Sequence, residues 1–152
     1  MITFYTAHPF HPPNTLQIMT TRYFESLFEF DTLCSNIAKI DDSIELIAVL
    51  NNKGRAIEMI AKEDGINKDL TAQKREMLFM ECVLKSTMNR EHNHEFGSVH
   101  SSILEREKFT VLSFEMLDYV LLIISKPIIN PIELKNKISE TIINSRKVEL
   151  AQ

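Results

Sequence analysis

Residues 44–61 read IELIAVLNNKGRAIEMIA. The first seven are apolar on both sides of an extended chain. Ile44, Leu46, Ala48 and Leu50 fall on one face, Ile47 and Val49 on the other. A strand of this kind sits in the middle of a sheet and is covered on both faces. Asn51-Asn52-Lys53-Gly54 is a turn, in which Gly54 is free to take positive φ. Arg55 to Ala61 is then the partner strand, with Ile57 and Met59 facing one way and Glu58 the other. The stretch is a β-hairpin.

The elements on its C-terminal side follow from the hairpin. Lys62 to Lys68 is a polar connection around Gly65. A long helix is predicted from Asp69, its N-cap, to Glu95. Met77, Met80, Leu84 and Met88 form one stripe on it, and Phe79, Cys82 and Val83 a second. An apolar face this wide exceeds what one sheet surface needs. Gly97 ends the element. Ser98 to Glu105, Phe109 to Met116 and Tyr119 to Ser125 read as a three-strand meander, with Phe109 and Val111 on one face of the middle strand and Leu112 and Phe114 on the other. The unbroken apolar run from Tyr119 to Ile124 marks a second central strand. In the closing helix Asn130 is N-cap, Pro131 is N1 and Glu133 is N3. Leu134, Ile138, Thr141, Ile142 and Ser145 line its inner face.

On the N-terminal side, Thr20 or Thr21 caps a helix whose stripe is Phe24, Leu27, Phe28, Phe30, Cys34 and Ile37. That helix ends near Asp41-Asp42. Residues 1–19 form a proline-containing arm, either a short strand or irregular, with no charged side chain. Met19 is a candidate alternative start. The expected organisation is an arm (1–19), one α+β sandwich domain (20–146) and a frayed tail (147–152). The domain has a five-stranded antiparallel sheet and the order α-β-β-α-β-β-β-α.

Composition removes several classes of function. A length of 152 residues suits one core. A net charge of −4 disfavours a general nucleic-acid surface. No apolar run reaches the roughly 20 residues of a membrane helix. The N-terminus lacks a basic segment followed by an apolar one, so the chain reads as cytoplasmic. Cys34 and Cys82 lie in helical patterns far apart and read as buried thiols. Ser101, Ser102 and Ser113 are strand serines without a G-x-S-x-G setting. With three glycines and no phosphate-cradle motif, neither an enzyme nor a cofactor is expected.

Two polar features call for a function. Glu91-His92-Asn93-His94-Glu95, followed by His100, is rich in metal ligands. On a helix His92 and His94 point apart, so one ion is shared only if the helix has ended by His92. His8 and His11 are further candidates. Lys74, Arg75, Lys85 and Arg90 give the long helix a basic edge, suited to solvent or to an acidic partner.

The order of elements, the texture of Ile44–Leu50, the Asn52-Lys53-Gly54 turn and the Asp118-Tyr119-Val120-Leu121 entry to the last strand are similar to the roadblock / dynein-light-chain family, in an archaeal-type branch. The resemblance covers residues 20 to 146. Profilin-like and longin-like domains share the order, and PAS and GAF sensor domains approach it. The resemblance implies a non-enzymatic dimer, joined through the long helix and the strand after it. On this chain that surface is Phe79, Met80, Val83, Leu84 and Met88 with Val99, Ser101 and Ile103. It also implies a platform or regulator for a small Ras-like GTPase, or a scaffold adaptor. The alternatives are a small-molecule sensor of PAS/GAF type and a metal-binding protein using His92, His94 and His100.

Overall fold

The computed structural model describes residues 2–4 and 29–150. The predicted cap at Thr20 or Thr21, the stripe residues Phe24, Leu27 and Phe28, His8, His11 and Met19 lie outside them. In chain order the elements are β1 (Ile2–Phe4), α1 (Phe30–Ala38), β2 (Ile44–Leu50), β3 (Ala56–Ala61), α2 (Ile66–Asp69), α3 (Ala72–Arg90), α4 (Asn93–Phe96), β4 (Ser101–Glu105), β5 (Thr110–Met116), β6 (Tyr119–Ser125) and α5 (Pro131–Leu150). The five strands read from the sequence form one antiparallel sheet, and the arm adds β1 at its margin. The strand order is β1-β3-β2-β6-β5-β4.

The two strands apolar on both faces, β2 and β6, are hydrogen-bonded neighbours at the centre of the sheet. One face carries Ile47, Val49, Leu112, Phe114, Leu121 and Ile123, and α1 and α5 cover it with Leu33, Cys34, Ile37, Leu134 and Ile138. The other carries Leu46, Ala48, Leu50, Val120, Leu122 and Ile124, covered by Phe79 and Val83 of α3. Phe109 and Val111 pack on the α3 side and Leu112 and Phe114 on the other, as their alternation predicts.

Two register shifts move residues from their predicted faces. The shift between Ile44 and Leu46 puts Ile44 in the α1/α5 layer rather than beside Leu46. Glu45 is the extra residue. Its carboxylate is 3% exposed, pairs with Lys126 Nζ at 3.6 Å and lies against Gly65. A Cβ at Gly65 would stand 2.1 Å from Glu45 Oε2. The second shift, between Val49 and Leu50, separates Ile57 from Met59: Ile57 packs in the α1/α5 layer and Met59 under α3. A bulge sets two residues of one strand against one of its neighbour, which breaks the alternation.

Local signals account for the ends of elements. Asn51 Oδ1 accepts from Lys53 N (2.9 Å) and Arg55 N (3.1 Å), and Gly54 takes φ +75°. A Cβ on Gly54 would lie 3.1 Å from Met80 Cα, so the turn also needs glycine to let α3 approach. The long predicted helix is three pieces. Asp69 is not its cap but the last residue of α2. Thr71 caps α3, its Oγ1 accepting from Lys74 N at 3.2 Å. The chain turns at Glu91-His92, and α4 ends at Gly97. Asn130 Oδ1 caps α5 at Glu133 N (3.2 Å), while the Glu133 carboxylate turns to Lys137 (3.4 Å). The backbone of α5 continues through 147–150, where the sequence pointed to a frayed tail.

Candidate functional site

α3 packs Phe79 and Val83 onto the β2 and β6 part of the sheet and reaches β5 at Glu115; among the described residues, β4 and the rest of β5 are left open on that face. The result is an open groove of about 100 Å³. Leu78, Cys82, Lys85 and Asn89 of α3 form one wall. Ser102, Leu104, Val111 and Ser113 of β4 and β5 form the floor, with Val99 at the end. The cross-strand pairs Ser102–Ser113 and Leu104–Val111 place these four side chains on one face. The two serine hydroxyls meet at 2.5 Å.

A polar clamp fixes α3 at this position. Ser86 is 4% exposed, and its hydroxyl donates to both carboxylate oxygens of Glu115 at 2.7 Å. Arg90 stands 3.7 Å from Glu115 Oε2 and donates to Leu117 O at 3.0 Å. Cys82 has its thiol pushed up to about 11, first by burial and then by the Glu115 charge. Cys34, deeper in the α1 layer, reaches about 12, chiefly by burial. Neither thiol is a nucleophile near neutral pH.

Among the described residues, the groove opens onto an unpaired edge. Arg106 N donates to Phe109 O (2.8 Å) and Glu115 N to His100 O (3.2 Å). Bonded positions alternate in an antiparallel pair. His100, Ser102, Leu104 and Arg106 therefore turn their backbone groups to β5. Ser101, Ile103 and Glu105 turn theirs outward, where β4 is the last strand of the sheet.

The predicted interface residues separate into four sets, one of them Val99 alone at the end of the groove. Phe79 and Val83 are 4% and 5% exposed and belong to the core beneath α3. They are corrected to core positions, because the sheet already occupies the face they form. Met80, Leu84 and Met88 are 40%, 54% and 68% exposed, and Met77 extends the same stripe at 61%. Ser101 and Ile103 present backbone at the β4 edge while Ile103 packs its side chain in the α1/α5 layer. The sequence reading named Lys85 only for the basic edge of the helix and Ser102 only as a strand serine, and it did not single out Leu78 or Asn89. The alternation of Leu104 with Ile103 held that information for the strand.

His92 sits at the bend between α3 and α4, its ring 6.0 Å from that of Phe96. His94 is within α4 and His100 directly precedes β4. Among the described residues no three His, Cys, Asp or Glu side chains are placed to hold one metal ion. Nor is any described helix long and apolar enough to cross a membrane.

No family model matches the chain, and no curated protein matches it in sequence. Solved structures do match in fold. A Roadblock/LC7 domain from Streptomyces avermitilis superposes with TM-score 0.60 at 11% identity, over 80% of this chain and 98% of that one. Myxococcus xanthus MglB gives 0.59 at 12% identity, over 84% and 90%. A structure described as MglB with tetrameric arrangement gives 0.57 at 6% identity, over 78% and 88%. The layered sheet with its flanking helices is thus that of a known architecture: this chain has the roadblock/LC7 fold.

Proposed function

We propose that the protein is a non-enzymatic cytoplasmic interaction module that works as a pair of identical chains. Two copies meet at the groove and the β4 edge, and the joined surface serves as a platform for a small Ras-like GTPase or a scaffold protein. The observation that carries this reading is the coincidence of two unfinished surfaces. The groove beside α3 is open, with Leu78, Val99, Leu104 and Val111 set among polar side chains, and the strand flooring it has outward-facing backbone groups. An unpaired edge is a template for another strand. A second copy, related by a two-fold axis, supplies a strand for the edge and a helix for the groove together. Met77, Met80, Leu84 and Met88 then border the joined surface as adaptable apolar contacts. One fold neighbour, MglB, is described in a tetrameric arrangement, so this architecture accommodates association in that protein.

A sensor reading has less support. Small-molecule sites enclose roughly 300–1,000 Å³, and this groove holds about 100 Å³ and is open to solvent.

The test is solution mass by light scattering behind size exclusion, for the full chain and for Leu104→Lys. Leu104 is 44% exposed and lines the groove, so the variant keeps its fold. The full chain is expected at two-chain mass and the variant at one. A single-chain mass for the full chain at tens of micromolar would overturn the reading.

A further inference from the structure

β1 occupies the edge of the sheet opposite β4, pairing antiparallel with β3 in the register Ile2–Ile60, Thr3–Met59 and Phe4–Glu58. Lys62 N donates to Glu45 O at 3.0 Å, and alternation from that bond turns the backbone groups of Ile60 and Glu58 toward β2 and those of Met59 toward β1. Thr3 is therefore the β1 residue that exchanges backbone bonds with β3. The pairing closes a chain interval of more than fifty residues with a strand of three. The entropy of so long a closure is returned by few bonds. β3 beneath it is six residues long, free of proline and lysine, and carries Ile57, Met59 and Ile60. Its single charged side chain, Glu58, is buried inward with Oε1 lacking a hydrogen-bond partner. An inward-pointing charge is a device of edge strands, found here on a strand that β1 has made internal.

We infer that β1 is a guard strand: it keeps the β3 edge closed, and its withdrawal makes that edge a second self-association surface, for the β3 strand of another copy. Antiparallel pairing centred on Met59 sets each Glu58 opposite Ile60 of the other copy, so the carboxylates do not face each other. Two self-complementary edges on opposite sides of one sheet generate open-ended assembly, whereas one generates a closed pair. With the guard in place, association stops at β4. The inference takes the β4 pairing from the proposed function, and the experiment separates the two.

Light scattering over a concentration series compares the full chain, a chain lacking Ile2–Phe4, and Thr3→Pro, which removes the N–H aimed at Met59. Circular dichroism establishes that each is folded. Both altered chains are expected to show at least twice the mass of the full chain, rising with concentration. A synthetic peptide of residues 1–6, added in excess to the deleted chain, is expected to bring the mass back. If the proposed pairing at β4 is absent, the full chain has one-chain mass and the altered chains stop at two, which supports the guard strand on its own. Equal masses for full and altered chains would overturn the inference. So would loss of folding in both altered chains, since β1 would then be part of the core.

Discussion

Two residues carry a cost that the fold tolerates. Leu117 is the first of two residues joining β5 to β6, since Met116 pairs directly with Tyr119. It has φ +56° and is 61% exposed. A side chain with a Cβ in the left-handed region costs about 1–2 kcal/mol, and asparagine is better suited to it than leucine. Leu117→Asn keeps the carbonyl that accepts from Arg90. It is expected to stabilise by about 1 kcal/mol, a rise of roughly 2–4 °C in Tm for a chain of this size. An unchanged or lower Tm in a calorimetric scan would show that leucine is held there without strain. Glu58 is 2% exposed, and burial first, then the Asp31 charge, holds its carboxyl above the ordinary range. The folded state thus binds this proton more tightly than the unfolded chain does. The stability it contributes is complete below the unfolded pKa of about 4.3 and is lost as pH rises through the folded value. Glu58→Gln is expected to gain in Tm over the parent from pH 4 to pH 7, with little difference at the acid end. A gap independent of pH would mean that the folded and unfolded chains bind the Glu58 proton equally.

At the scale of elements, α3 is a plate with a core side and an outer side, and adjacent residues on it have opposite fates. Val83 is in the core and Leu84 is 54% exposed. Val83→Glu places an unpaired charge between α3 and β2 and is expected to unfold the chain, because an isolated buried charge costs several kcal/mol. Leu84→Glu is expected to leave the far-ultraviolet circular dichroism unchanged and the unfolding free energy within about 0.5 kcal/mol of the parent. Equal damage from both would place Leu84 in the core as well. The sequence displayed both apolar stripes but not which one meets the sheet, since methionine and phenylalanine at helical spacing look alike in a pattern. The choice is made by Leu46, Leu50, Val120 and Leu122, far away in the chain. The same limit explains the bulges. Alternation located β5 and an unbroken apolar run located β6, but an inserted residue at Glu45 or Ile57 carries no mark in composition. Asp69 and Thr71 are both capping types two residues apart, and α2, formed around buried Ile66, takes the first and leaves the second for α3.

At the scale of the molecule, the open groove and the β4 edge adjoin, and the groove is bounded by strands and a helix that meet only in three dimensions. Strand alternation made part of this site legible: the apolar side of β5 could be read from Phe109 and Val111. The groove itself could not, because it comes from the offset between α3 and the outer strands. The geometry of β4 makes a sharp prediction about the pair of chains. Amides of Ser102 and Leu104 face β5, while those of Ser101, Ile103 and Glu105 face outward and, in the proposed pair, would be bonded by a second copy. Amide hydrogen exchange resolved by residue is therefore expected to alternate along β4. On raising the protein concentration through the dissociation constant, exchange at Ser101, Ile103 and Glu105 should slow at least tenfold, while Ser102 and Leu104 stay as they were. In Leu104→Lys the odd-numbered amides should remain fast at every concentration. Slowing of all five amides together would point to a general tightening of the sheet. Slowing confined to α3 would mean that the copies meet at the helix alone and leave the strand edge bare.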